Sequence, residues 1–168
     1  MQIRVSSFSS MEGSEKVVEN YFRYVKKYFT IPILRCGGQK EIDLIEMRES
    51  DGQVHRIHVE VSVTPSGALK KINSQPYMET KKKTRSGSAS EKIEISYFVD
   101  SKFNDNNVIS TLKDYGFSRN NYEKVIVAWD LDPTVEPIAT GNGIKLLRFK
   151  EILKKNDGRI LEERVILF

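Results

Sequence analysis

Asp43 and Glu60 are the side chains in this sequence best suited to hold a hard cation. Asp43 sits between Ile42 and Leu44 in a stretch of strand composition. Glu60 falls in the clearest alternation of the chain, with Ile57, Val59, Val61 and Val63 pointing one way and Arg56, His58, Glu60, Ser62 and Thr64 the other. Two carboxylates on paired strands make half of a divalent-metal site. Mg2+ prefers carboxylate oxygens and keeps several waters, and held this way it grips a phosphate oxygen, activates water and offsets charge on a leaving group. That is the chemistry of phosphodiester hydrolysis. A single strand acid is as readily an edge residue facing water, so the argument rests on the pair and on its apolar neighbours.

A hairpin has to bring these acids together. Glu41–Arg48 and Val54–Thr64 flank the Asp51-Gly52 dipeptide, a strong two-residue turn signal. Before it, apolar residues from Val17 to Tyr28 recur at helical spacing behind Ser14 as N-cap, which predicts a helix over 14–28 with Lys16, Arg23 and Lys27 opposite the apolar face. Glu15 and Glu19 lie on the border of that face, where a helix carboxylate looks into a cleft beside the core. After Pro65, Ser66 caps a short predicted helix through Ala68, Leu69 and Ile72, and residues 81–90 read as a polar, basic loop. Further on, the pattern predicts an extended segment over Glu91–Val99 and a helix over Val108–Tyr115 closed by Gly116. It then predicts strands at Lys124–Trp129 and Gly143–Phe149, and a helix over Lys150–Lys155. No internal repeat interrupts this. The expectation is one α/β domain over residues 1–168, with a mixed sheet in α-β-β-β-α-β order flanked by helices.

Composition narrows the function classes. The chain has 168 residues and a formal net charge of +4, which allows a polyanionic partner without requiring one. Cys36 is the lone cysteine, so internal disulfides and cysteine-rich zinc sites are excluded. No apolar run approaches the roughly 20 residues that cross a bilayer. A soluble, cytoplasmic protein with no cleaved leader is expected. Gly141-Asn142-Gly143 lacks the lysine and hydroxyl of a triphosphate-binding loop, no HExxH pair points to zinc, and Cys36 has no motif-level His partner for thiol catalysis.

Gly37-Gly38-Gln39-Lys40-Glu41-Ile42-Asp43-Leu44-Ile45, followed by the hairpin and His58-Val59-Glu60-Val61-Ser62, resembles the PD-(D/E)XK nuclease superfamily, most of all the archaeal Holliday-junction resolvases. The resemblance spans about residues 14–72. It implies a restriction-endonuclease-like fold and a metal-dependent DNA endonuclease. Asp43 and Glu60 would ligate Mg2+, with Mn2+ as a substitute, the Val61 carbonyl would add a ligand, and Glu15, with Glu19 as the second choice, would assist from the helix. It also implies a homodimer that places two sites on two strands.

The sequence departs from that pattern at one position. The family's lysine two residues after the second acid is Ser62 here, and a hydroxyl supplies no positive charge. Lys70 and Lys71, on the predicted helix after Pro65, are the expected source of that charge, since Lys40 lies at the opposite strand parity. Lys70, Lys71, Lys81, Lys82, Lys83 and Arg85 form the expected nucleic-acid contact, for DNA first with RNA not excluded. His58, on the Glu60 face, is a candidate to line the cleft, contact a phosphate or carry a proton, and is as readily an ordinary surface residue, like His55. The alternatives are a chain that keeps the fold and binds nucleic acid without cutting it, and a subunit whose sheet edge or residues 165–168 pair with another protein.

Overall fold

The computed structural model describes residues 13–63, 71, 72, 74 and 94–164, with no side-chain placement for residue 71 or for 157–164. Helix α1 (Gly13–Asn20) runs into a π-helical turn, Tyr21–Val25. Strand β1 (Phe29–Arg35), a 3-10 turn at Gly37–Gln39, β2 (Glu41–Ser50) and β3 (Gln53–Ser62) follow. After β4 (Lys71–Ile72), a short helix α2 (Ile95–Tyr97) continues into a second π-helical turn, Phe98–Phe103. The rest is α3 (Asn106–Asp114), β5 (Glu123–Ala128), β6 (Asp130–Leu131), α4 (Val135–Gly141), β7 (Ile144–Arg148) and α5 (Phe149–Arg164).

The main sheet has the order β1-β2-β3-β5-β7. Its first three strands form an antiparallel meander, and β5 and β7 add in parallel. The β2–β3 turn is closed by Ser50 opposite Gln53, with Asp51 at φ 54° and Gly52 at φ 73°, the two positive values that a tight hairpin with the native twist needs. Val125 to Ala128 are all buried because β5 is covered on both faces, which explains their uninterrupted apolar run.

Alternation divides the core into two layers. Leu44, Ile57, Val59, Val125 and Val127 meet Val18, Tyr21 and Phe22 from the first helical segment and Phe149 and Ile152 from α5. On the other face, Ile126 and Ala128 pack with Ile95, Phe98 and Phe103, while Ile42 and Ile45 pack with Val108 and Leu112 of α3 and with Phe117. This mixed, helix-flanked sheet agrees with the restriction-endonuclease-like arrangement expected from the sequence. Among the described residues, no helix is long and apolar enough to cross a membrane.

Three local expectations change. Ser14 lies inside α1 rather than capping it, and its hydroxyl donates to the Val63 carbonyl at 3.0 Å. Lys71 and Ile72 form a strand paired in parallel with β6, not part of a helix, because Ile72 is drawn into the core beside Leu131. The segment around Ile95–Val99, rich in β-formers, is helical because Ile95, Phe98 and Phe103 must all reach one core face. A π turn brings positions five apart onto that face. At the sheet edge, β1 pairs Pro32 with Leu44 and Leu34 with Ile42 but passes over Ile33, which takes φ 52°.

Candidate active site

The hairpin register sets the acids side by side. Leu44 opposes Val59 and Ile45 opposes His58, so one step further Asp43 comes opposite Glu60 on the face that α3 and the second π turn cover. The Val61 N–H donates to Asp43 Oδ2 at 2.7 Å, tying the β2 acid to the β3 backbone. His58 Nε2 lies 2.7 Å from Glu60 Oε1.

Among the described residues, a positive charge beside the acids is carried by Lys102, which the sequence reading did not name. Its ammonium is 2.6 Å from Glu60 Oε2 and 3.5 Å from Asp43 Oδ1, and it donates to the Glu41 carbonyl at 2.9 Å. Buried Phe98 and Phe103, at the two ends of the π turn, anchor the segment that aims Lys102 inward. Such turns recur at functional sites because they redirect one side chain without breaking the helix. Glu60 has no exposed side-chain surface, whereas 11% of the Asp43 side chain and 16% of the Lys102 side chain reach solvent, so the site opens on the Asp43–Lys102 side.

Burial governs the electrostatics. It pushes Asp43 up to about 7, helped by the charge of Glu60 and opposed by Lys102 and the Val61 N–H. It pushes Glu60 up to about 7 as well, with Lys102 opposing. Burial alone would lower Lys102, but Glu60 and Asp43 outweigh it and hold the ammonium above its ordinary value. The three groups therefore share charge, and without the lysine the two carboxyls would be left to hold a proton between them.

Burial also lowers His58 to about 3, so the imidazole is neutral. A neutral ring donating Nε2–H to Glu60 leaves Nδ1 bare, and Nδ1 has no hydrogen-bond partner among the described residues. His58 is completely buried, its ring edge-on to Phe103 at 4.8 Å. It holds Glu60 in place and does not reach a phosphate from there, contrary to the cleft-lining role considered for it.

The other sequence candidates separate as follows. Glu15 is in the first turn of α1, next to Ser14, and Ser14 bonds just beyond the end of the strand that carries Glu60. Glu19 lies on the opposite face of the sheet. There it pairs with Arg23 and Lys16 and accepts from the Thr30 hydroxyl at 3.2 Å. Glu46 is on that same face, opposite Thr30 in the β1–β2 register, completely buried, and neither of its oxygens has a hydrogen-bond partner among the described residues. Burial, then the charge of Glu19, pushes it up to about 9 against the pull of Arg23.

Val61 is at the acid pair through its N–H. Ser62 is buried with its hydroxyl unpartnered among the described residues. Lys40 pairs with Asp105 at 3.8 Å. Lys71 is described only as part of β4, while Lys70, Lys81, Lys82, Lys83, Arg85 and residues 165–168 lie outside the described residues.

No three His, Cys, Asp or Glu side chains converge as a metal cluster among the described residues. Two carboxylates are nonetheless a donor set that fits Mg2+, which commonly takes one or two protein carboxylates and keeps waters in its other positions. The pair already accommodates one cationic group at 2.6 and 3.5 Å.

No protein-family model and no curated protein matches the sequence. Among solved structures, a repair endonuclease from Pyrococcus abyssi is similar at 13% identity and a TM-score of 0.42. The match covers 83% of this chain and 48% of that one, so this chain spans about half of its length.

Proposed function

We propose that this chain is a metal-dependent endonuclease that hydrolyses phosphodiester bonds in DNA, with Asp43 and Glu60 as the carboxylate ligands of Mg2+ or Mn2+. The observation that carries the reading is the convergence of both acids and Lys102 on one face of the hairpin. When bound, the divalent ion supplies a Lewis acid for a phosphate oxygen and a more acidic water.

The chain's own groups do the positioning. His58 fixes Glu60 through Oε1, leaving Oε2 to face Lys102. The Val61 N–H fixes Asp43 through Oδ2, leaving Oδ1 toward the open side. Lys102 provides the fixed positive charge that Ser62 lacks, aimed where negative charge develops on a phosphate. The Val61 carbonyl and Glu15 are the further donors proposed at this end of β3. Lys70, Lys71, Lys81, Lys82, Lys83 and Arg85 are the proposed contacts to the nucleic-acid backbone, and a homodimer is the proposed assembly for cutting two strands.

The test is incubation of purified protein with labelled duplex, junction, flap and single-stranded DNA, with and without Mg2+ or Mn2+. Metal-dependent scission that disappears in Asp43→Asn and Glu60→Gln supports the reading. Equal cutting by both variants refutes the site. Salt-sensitive binding without scission on any substrate replaces it with the binding-only alternative, which the serine at position 62 favours.

A further inference from the structure

Lys124, the second residue of β5, lies opposite His58 in the parallel register, while Ile126 opposes Glu60. Lys124 therefore stands on the same sheet face as the acid pair, two residues back along the strand. The buried ring of Phe103 lies between them. It packs against His58, and the Lys124 ammonium stands 5.7 Å from its centroid.

Lys124 lines a cavity of about 200 Å3 together with Arg119, Asn104, Asn120 and Tyr122. Its hydrogen bond is a long one, 3.4 Å to Asn104 Oδ1. Neither Lys124 nor Arg119 has a carboxylate partner among the described residues. Glu123, the nearest acid in sequence, is taken by Lys145 at 2.6 Å, and Asp105 by Lys40 at 3.8 Å. Partial burial and the neighbouring Arg119 both push the Lys124 pKa down. Two like charges are thus brought to one concave site and left uncompensated there.

We propose that this pocket is a binding site for a phosphate group. A phosphate oxyanion would relieve the Arg119–Lys124 repulsion, accept charge-assisted hydrogen bonds from both cations, and take donors from the Asn104 and Asn120 amides and the Tyr122 hydroxyl. Its size suits one phosphate and its ester oxygen. A second cavity of about 350 Å3 shares Ile109, Arg119 and Tyr122 with it and adds Phe117 and Leu112, which gives the organic part of an ester an apolar wall. The site is independent of metal, and nothing in its recognition requires Asp43 or Glu60.

The experiment is side-chain amide NMR and calorimetry on the full chain without divalent metal, titrating sodium phosphate against sodium chloride at matched ionic strength. A single-stranded oligonucleotide is titrated in parallel. Phosphate is expected to shift the Asn104 and Asn120 amides where chloride does not. Its affinity should fall at least tenfold in R119Q/K124Q and be retained in E60Q. R119Q alone removes an exposed side chain, so it should weaken phosphate binding with unchanged thermal unfolding.

If the natural source is a nucleic-acid backbone, R119Q/K124Q also weakens oligonucleotide binding and lowers its log–log salt slope by about 0.7, the increment for one phosphate contact on a single strand. If the source is a free phosphate ester, oligonucleotide binding is unchanged while phosphate binding is lost. Equal responses to phosphate and chloride, or undiminished phosphate affinity in both variants, overturns the proposal. Because no cleavage is measured, that failure is distinct from failure of the nuclease reading.

Discussion

The two faces of the sheet carry nearly the same inventory, two carboxyl groups and one cation delivered from a π-helical turn, yet they arrange it in opposite ways. On the α3 face, Glu60 is met by His58 and Lys102, and Asp43 by the Val61 N–H and Lys102. On the α1 face, Glu19 takes Arg23, Lys16 and Thr30, and Glu46 is left with no hydrogen-bond partner among the described residues. The first arrangement spreads one positive charge over two acids at an opening. The second gives every charge-bearing contact to one acid and leaves the other to keep its proton in a closed interior. A buried acid is therefore a poor sign of chemistry by itself. What distinguishes the Asp43–Glu60 site is that both acids are oriented by donors and share one cation.

That contrast breaks most sharply at the acids themselves. Asp43→Asn or Glu60→Gln is expected to reduce metal-dependent cleavage to background, with the far-ultraviolet circular dichroism of the wild type; retained cutting places the chemistry elsewhere. Lys102→Ala should lower the cleavage rate constant by about 10²–10³-fold, the usual cost of removing one electrostatic stabiliser. Adding Ser62→Lys to that variant should restore at least about tenfold of the loss, because position 62 is on the same strand face as Glu60. An active Lys102→Ala enzyme would remove the lysine from the mechanism.

The α1 face answers in stability instead. The folded-state value of Glu46 is raised to about 9 from an ordinary 4.5, so its favourable contribution is full below about pH 4.5. It then declines by about 1.4 kcal/mol per pH unit as pH rises toward the folded value. Glu46→Gln carries no such titration, so in denaturant unfolding it should gain a few kcal/mol on the wild type between about pH 5 and pH 8. A difference independent of pH would show that Glu46 is ionised in the folded protein. The smallest change is Thr30→Val, which removes the hydroxyl linking Arg23 and Glu19 and should cost about 1 kcal/mol in the same measurement, with cleavage unaltered.

Much of the fold was legible because its signals are local. The Asp51-Gly52 turn, the alternation of β3, the apolar run of β5 and Gly116 behind α3 each specify a conformation without help from distant residues. Asp43 and Glu60 were legible for the same reason, since a hairpin with a known turn fixes which residues oppose each other. Lys102 was not, because it reaches the acids from about 40 residues along the chain and follows a stretch, Glu91–Val99, whose Ile, Tyr, Phe and Val content reads as strand. The usable signal was the spacing of Ile95, Phe98 and Phe103 around one basic residue, which makes sense only with a π turn. Glu19 was set with Glu15 on the border of a cleft because helix periodicity tells which side of α1 is apolar but not which face of the sheet that side covers. The burial of His58 was not legible, because alternation places it beside Glu60 but does not reveal the Phe103 ring packed against it.

The break in β1 bears on how copies of the chain meet. An outer strand with an unbroken row of free backbone groups is a template for another strand, and Pro32 withholds one donor while Ile33 turns its peptide groups out of line. Neighbouring molecules therefore cannot zip together continuously along this margin. That margin is thereby guarded against runaway strand-by-strand stacking.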